Sequence, residues 1–272
     1  MKASLKFLSR LCITGLLAAA GAAGAQPQFL EEVPFVTSPD NVTLEMLRIA
    51  NVGPTDHVID LGSGDGRIVI VAARRFGASG MGVEIIPDLV RRSNASAREA
   101  GVAGRVEFRE QDLFATDLTR ATVVTMYLLP EFNLQLRPRL LALKPGTRLV
   151  SHDWDMGDWV PDETTIVQVP DKKVGLEKFS RIHLWVVPAR VEGLWCAPDR
   201  RLGALVMTQK YQQVAGRWSR GERNVEFTGR LQGNAMKIES RARELAGIEV
   251  NGDTLRVPGL PVTFARAQGS TC

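Results

Sequence analysis

Between His57 and Pro188, short apolar runs alternate with stretches whose apolar residues recur at helical spacing. The runs predict strands at His57–Leu61, Gly80–Ile85, Val106–Glu110, Thr122–Leu128, Arg148–His152, Thr165–Val169 and Ile182–Val187. Most are apolar nearly throughout, as expected of strands covered on both faces. Helices are predicted between them at Arg67–Phe76, Asp88–Ala100 and Glu131–Leu143, with Gly101 and Lys144-Pro145-Gly146 as stops. Strand–helix alternation implies a parallel sheet with helices on both sides. Ile68-Val69-Ile70-Val71 has strand propensity, yet the glycine-rich turn before it calls for a helix start. A further helix precedes the first strand. Ser38 is its expected N-cap and Pro39 its first residue, with Val42, Met46, Ile49 and Ala50 on one face and Gly53-Pro54 at its end.

After Pro188 the helical period fades. Segments at Gly203–Tyr211, Asn224–Leu231, Ala235–Ser240, Ile248–Val250 and Thr254–Val257 read as strands, the last two joined by an Asn251-Gly252 turn. Val225, Phe227 and Leu231 share one parity, as in a half-buried strand. The expectation is an α/β domain over residues 26–190 and a small antiparallel meander or partial barrel over 191–272, weakly similar to lipocalin-like barrels. Its role is open between a substrate clamp, a partner-binding module and a stabilising appendage.

Residues 1–25 have the layout of a secretory signal peptide. Lys2, Lys6 and Arg10 are followed by an apolar block to Gly24, and Ala23-Gly24-Ala25 offers a cleavage site before Gln26. The block is short for a membrane span, which needs about 20 residues, so no stable span is expected. An uncleaved anchor and a mitochondrial presequence are the alternatives. The expected location is periplasmic or secreted. Cleavage would leave Cys196 and Cys272, either as one disulfide or as two thiols.

The chain has 272 residues, 44% hydrophobic and 24% charged, which excludes a disordered chain. The net charge of +4 hints at nucleic acid. Without Lys2, Lys6 and Arg10, however, 31 basic residues face 30 acidic ones. Arg74-Arg75, Arg91-Arg92 and Arg200-Arg201 are scattered among acids, so no nucleic-acid partner is expected.

The chemistry lies at the ends of the first strands. Asp60-Leu61-Gly62-Ser63-Gly64-Asp65-Gly66 closes one strand and opens a helix. The third glycine comes one place early for the dinucleotide fingerprint, and no Lys-Ser or Lys-Thr follows as in a phosphate loop. An acid ahead of the glycines suits a ligand with an ammonium group and no phosphate. S-adenosylmethionine (SAM) is such a ligand, and its carboxylate seeks N–H donors. Glu84, at the end of the second strand, is placed to accept ribose hydroxyls. Asp112 follows the third strand, where it can accept from an adenine amine with Leu113 or Phe114 against the ring. The expected cofactor residues are therefore Asp60, Gly62, Ser63, Gly64, Asp65, Gly66, Glu84, Asp112 and Leu113.

On these residues the chain resembles the class I SAM-dependent methyltransferases, over roughly Phe35 to Pro188. Pro34-Phe35-Val36-Thr37-Ser38-Pro39, Asp60–Arg67, Tyr127-Leu128-Leu129-Pro130 and Lys144–Ser151 are further similar to the ATP synthase c-subunit lysine methyltransferases and, distantly, to non-SET histone lysine methyltransferases. The resemblance implies a Rossmann-like seven-stranded sheet with its last strand antiparallel, here Lys178–Pro188, and transfer of a methyl group to a protein lysine. Many amine-methylating relatives carry an Asn or Asp before Pro-Pro-Tyr after the fourth strand. Here the strand ends Met126-Tyr127-Leu128-Leu129-Pro130 and that polar residue is absent, so the general pattern is not matched and residues 127–130 are read as pocket wall only. Tyr127, Glu131 and Asp153 are the candidates for catalysis, with Asp155 a further carboxylate. Trp154 and Trp159 either wall the substrate entrance or pack in the core. No metal is expected, because His57, His152 and His183 are not paired at ligand spacing. A small-molecule acceptor and a non-catalytic binding protein that keeps the fold are the competing readings.

Overall fold

The structure is a computed structural model that describes residues 36–173, 175–240, 242–260 and 262–272. The expected signal peptide and the Pro34-Phe35 pair lie outside the described residues.

Helix α1 (Asp40–Ile49) leads into β1 (His57–Leu61), α2 (Arg67–Phe76), β2 (Ser79–Glu84), α3 (Pro87–Glu99), β3 (Val106–Glu110), β4 (Val123–Met126), α4 (Pro130–Leu140), β5 (Arg148–His152), β6 (Glu163–Gln168) and β7 (Phe179–Val186). The seven strands form one sheet in the order β3-β2-β1-β4-β5-β7-β6. The first five are parallel, and β7 runs antiparallel to both β5 and β6. The expected α/β architecture is therefore present, with its antiparallel strand where Lys178–Pro188 placed it.

The central strands are apolar because both sheet faces are covered. On one face, Val42, Met46 and Leu47 of α1 and Ile68 and Ala72 of α2 pack on Val58, Val123, Val150 and Ile182. On the other, Leu136 and Leu140 of α4 pack on Ile59, Leu61, Val124, Met126 and Leu149. The β-branched run at residues 68–71 is helical, as the turn before it requires, and packing outweighs its propensity. Helix α4 stops at Leu140 rather than Leu143; Pro138 removes a backbone donor from its last turn.

Two local expectations are corrected. Ser38 does not cap α1: Pro39 holds the cap position with no side-chain bond, and the Ser38 hydroxyl instead hydrogen-bonds His152 Nδ1 at 2.9 Å. Strand β6 is not covered on both faces. It is an edge strand of alternating exposure, and its Ile166 is 58% exposed.

Strands β8 (Gly193–Cys196), β9 (Ala204–Lys210), β10 (Gln213–Arg220), β11 (Arg223–Gln232), β12 (Ala235–Ile238), β13 (Ile248–Asn251), β14 (Thr254–Arg256) and β15 (Thr263–Arg266) follow. They close into an antiparallel barrel, β15 pairing back to β8. The meander is thus a full barrel. Trp195, Leu205, Met207, Trp218, Phe227, Leu231 and Phe264 fill its interior. Asn251 pairs with Thr254, so the hairpin turn is Gly252-Asp253, one place later than expected. Cys196 and Cys272 are joined as a disulfide.

Candidate active site

The carboxyl ends of β3, β2, β1, β4 and β5 stand side by side, about 4.8 Å apart from strand to strand. This edge collects Asp112, Glu84, Asp60, Tyr127 and Asp153 in that order.

Asp60 is buried at 2% exposure, and its Oδ1 accepts the Thr125 hydroxyl at 2.7 Å. Burial pushes its carboxyl up to about 7; the Thr125 bond opposes this, while the charges of Glu84 and Asp65 add to it. The turn that follows is left-handed at Gly62, Gly64 and Gly66. A Cβ at Gly66 would lie 2.6 Å from the Phe108 ring, and one at Gly62 would lie 3.0 Å from Leu128 Cδ2. Only glycine combines that backbone with that closeness. Gly62 and Ser63 donate their N–H groups to Val83 O. Ser63 is buried, and its hydroxyl has no partner among the described residues.

Glu84 ties the turn to β2. Its Oε2 accepts Gly64 N–H at 3.0 Å, and its Oε1 accepts the N–H groups of Ile85 and Ile86 at 2.8 and 3.0 Å. Ile85, next to it, is 57% exposed beside the site. Gln111 N–H donates to Glu84 O, which brings the end of β3 alongside. Asp112 Oδ1 then accepts Phe114 N–H at 2.8 Å and caps the 3-10 turn that carries the partly buried Leu113.

Asp65 is turned to a structural partner. It accepts from Arg67 Nε at 2.9 Å and Nη2 at 2.6 Å. Burial pushes its carboxyl up, but the Arg67 bonds and charge outweigh this and hold it below the usual range. Arg67 Nη1 donates to Ser38 O at 2.9 Å, anchoring the segment before α1 over the turn.

Beyond β4, Tyr127 is half-buried and stacks on His152, with ring centroids 3.9 Å apart. Burial, and then the charge of Asp153, push its phenol up to about 12. His152 is bonded on both sides, to Ser38 Oγ and, at 2.8 Å, to Ser180 Oγ. Burial drives its pKa down to about 4, with Asp153 opposing and Lys172 reinforcing, so the ring is neutral at pH 7. Sequence reasoning weighed His152 only as a metal ligand. The β4–β5 register, Met126 beside Ser151, puts Tyr127 beside His152 one step on, and that register was the missing signal.

Leu128 is buried, Leu129 caps α4 and Pro130 is its first residue. Glu131 stands exposed in the first turn of α4. Asp153 joins a different set: its Oδ2 lies 2.8 Å from Lys172 Nζ. Asp155 accepts Gly157 N–H in its own loop. Trp159 is fully buried and is core, whereas Trp154 is 40% exposed near the end of β5. Asn133 of α4 is fully buried; its Nδ2 bonds Ser151 Oγ and the carbonyls of Trp154 and Asp155. Asn133 was not foreseen from sequence.

The edge thus offers a buried acid, a glycine turn, a strand-end acid held by three backbone N–H groups and an apolar wall. These fit an ammonium, a close-lying backbone and vicinal hydroxyls, as in SAM.

The profile of the ANTKMT methyltransferase domain matches residues 60–163. A protein-lysine N-methyltransferase of Saccharolobus islandicus is 43% identical over 161 residues, covering 58% of this chain and 96% of that protein. The ATP synthase c-subunit lysine N-methyltransferase of Mus musculus is 35% identical over 49% of this chain, which spans only 53% of that enzyme. A solved Salinibacter ruber structure, named as an RNA methyltransferase in complex with S-adenosyl-L-homocysteine, is 52% identical with a TM-score of 0.52. It covers 57% of this chain and 96% of its own. Each alignment leaves at least two fifths of the chain unmatched.

Proposed function

The chain belongs to the protein-lysine N-methyltransferase family, and we propose that it transfers a methyl group from SAM to the side-chain amine of a lysine in a protein. The observation that carries this is the joining of Asp60, the Gly62–Gly66 turn and Glu84 at one sheet edge, with Tyr127 and Leu128 beside them.

SAM supplies the electrophile, a methyl group on a sulfonium. In this reading Asp60 holds its ammonium, Glu84 the ribose hydroxyls and Asp112 the adenine amine. Displacement at a sulfonium needs alignment and a neutral nucleophile more than a strong base. The half-buried Tyr127 and the buried Leu128 exclude water next to the turn. A lysine amine surrounded by such groups gives up its proton more readily, because burial disfavours the ammonium.

The structure named as an RNA methyltransferase motivates a second reading, an RNA acceptor. Charge weighs against it: residues 26–190 hold 19 basic and 22 acidic side chains. Tritiated SAM with a cell-envelope extract separates the readings. Label in protease-sensitive material that hydrolyses to methyl-lysine supports the lysine acceptor. Label removed by ribonuclease points to RNA, and solvent-extractable label to a small molecule.

We also propose export, with cleavage after Ala25. The basic and apolar leader and the Cys196–Cys272 disulfide support it. An N-terminus at Gln26 in the periplasmic fraction is the expected result. Met1 retained in membranes points to an anchor instead, and a mitochondrial fraction to a presequence.

A further inference from the structure

Among the described residues Lys172 is the one lysine that is not exposed. Its side chain is 11% exposed, and its Nζ lies 2.8 Å from Asp153 Oδ2 and 2.7 Å from Phe179 O. Buried ion pairs are a poor source of stability, since desolvation offsets the attraction. The location is more telling. Asp153 directly follows β5, at the sheet edge of the candidate site. It is next to His152, on which Tyr127 stacks.

Asp153 is also held from behind. Its backbone is left-handed at φ 63, a costly state for a residue other than glycine. Arg181 fixes it there: Asp153 N–H donates to Arg181 O at 2.7 Å, and Arg181 N–H donates to Asp153 Oδ1 at 3.0 Å. Oδ1 is thereby committed to the scaffold, while Oδ2 meets the Lys172 ammonium and lies 3.4 Å from His152 Nε2. Lys172 comes from the 169–178 connection between β6 and β7, whose Leu176 is 99% exposed.

We propose that Asp153 Oδ2 and Phe179 O form a cradle for the acceptor lysine's ammonium, and that Lys172 fills it from within the chain until an acceptor displaces it. The inference rests on the lysine-acceptor reading and deepens it. It explains a preformed carboxylate, in a strained backbone, matched to the same chemical group that the enzyme must receive. In this role Asp153 orients the incoming side chain before it loses its proton, and Lys172 is an internal competitor.

The probe is Nα-acetyl-lysine amide, titrated into the full chain carrying 15N-labelled lysine side chains. In the cradle the Lys172 ammonium gives a resonance distinct from those of exposed lysines. The expected result is saturable movement of that resonance to the exposed-lysine position as the probe binds. Lys172→Met keeps the aliphatic stem and removes the competitor. A tethered group competes at millimolar effective concentration, so the probe should bind this variant roughly tenfold more tightly. Adding Asp153→Asn should abolish that binding. A Lys172 resonance unmoved by excess probe, or equal affinity in the wild type and a folded Lys172→Met, overturns the cradle. If Lys172→Met does not fold, the wild-type titration decides alone. Methyl transfer to protein lysine is measured separately. Transfer without displacement sinks only the cradle, and displacement without transfer sinks only the activity.

Discussion

Tyr211 of the barrel stacks on Trp159 of the sheet unit, with centroids 5.8 Å apart and planes 19° from parallel. Tyr211 and Gln212 form the two-residue turn between β9 and β10, because Lys210 pairs with Gln213. Tyr211 is left-handed at φ 55, as such hairpins require of their first turn residue. The turn docks as a unit: the buried Gln212 donates Nε2 to Val160 O at 2.6 Å, and nearby Arg230 reaches Asp162 at 2.8 Å. The barrel thus completes the packing around Trp159.

Tyr211→Asn tests this coupling, because Asn tolerates the left-handed backbone while it removes the ring and the hydroxyl that donates to Asp158. Urea unfolding should show a loss of about 1–2 kcal/mol, the scale of an aromatic pair with its buried area. The Trp emission should shift to the red. An unchanged midpoint means that the contact contributes nothing. A truncation at Arg190 removes Tyr211, Gln212 and Arg230 together, so it should unfold earlier than the point variant.

Glu84→Ala should weaken SAM binding by about 1.5–3 kcal/mol, the scale of charge-assisted bonds lost from a ligand. It should also lower the melting temperature, because the N–H groups of Gly64, Ile85 and Ile86 lose their acceptor. Glu84→Gln keeps an oxygen for part of that set and should fall between. Calorimetry showing wild-type affinity in the Ala variant removes Glu84 from the cofactor site.

The strand–helix alternation was legible because buried parallel strands read as apolar runs, and the glycine turn because only glycine fits its backbone. Strand β10 was not. It places Gly216 and four polar residues among few buried ones, and its inward parity shows only once β9 and β11 are paired with it. The same holds at the site. Asp60 and Glu84 are fixed by local strand ends, but Asp153 meets Lys172 through a contact between residues 19 positions apart that spacing alone does not give. The Tyr127–His152 stack depends on inter-strand register, and the Ser38–His152 bond joins residues 114 positions apart.

The Cys196–Cys272 bond closes a loop of 76 residues onto the barrel. Chain-entropy reasoning assigns such a closure about 4 kcal/mol, with measured disulfides commonly delivering 2–4. Cys272→Ser should lower barrel stability by about that amount, and reduction of the wild type should reproduce the effect. Thiol titration of the unreduced, unfolded mature protein should find no free cysteine. A thiol count of two would show the pair reduced as isolated, and would remove one support for export.

Asp60 gives the last test, through pH. Its folded-state pKa of about 7 lies above the unfolded value of 3.8. Between those values the folded, cofactor-free protein holds a proton that the unfolded chain has lost, so this group's contribution to stability falls as pH rises from about 4 to 7. An ammonium docked on Asp60 favours the ionised form. SAM binding below pH 7 must then expel that proton. Affinity should climb with pH, by at most about tenfold per unit, and level off above 7. Calorimetry in two buffers of different ionisation enthalpy counts the proton directly: close to one released near pH 5.5, and only a small fraction near pH 7.5. Asp60→Asn should bind weakly with no pH dependence over this range. A wild type that releases no proton at the lower pH places the cofactor's ammonium somewhere other than on Asp60.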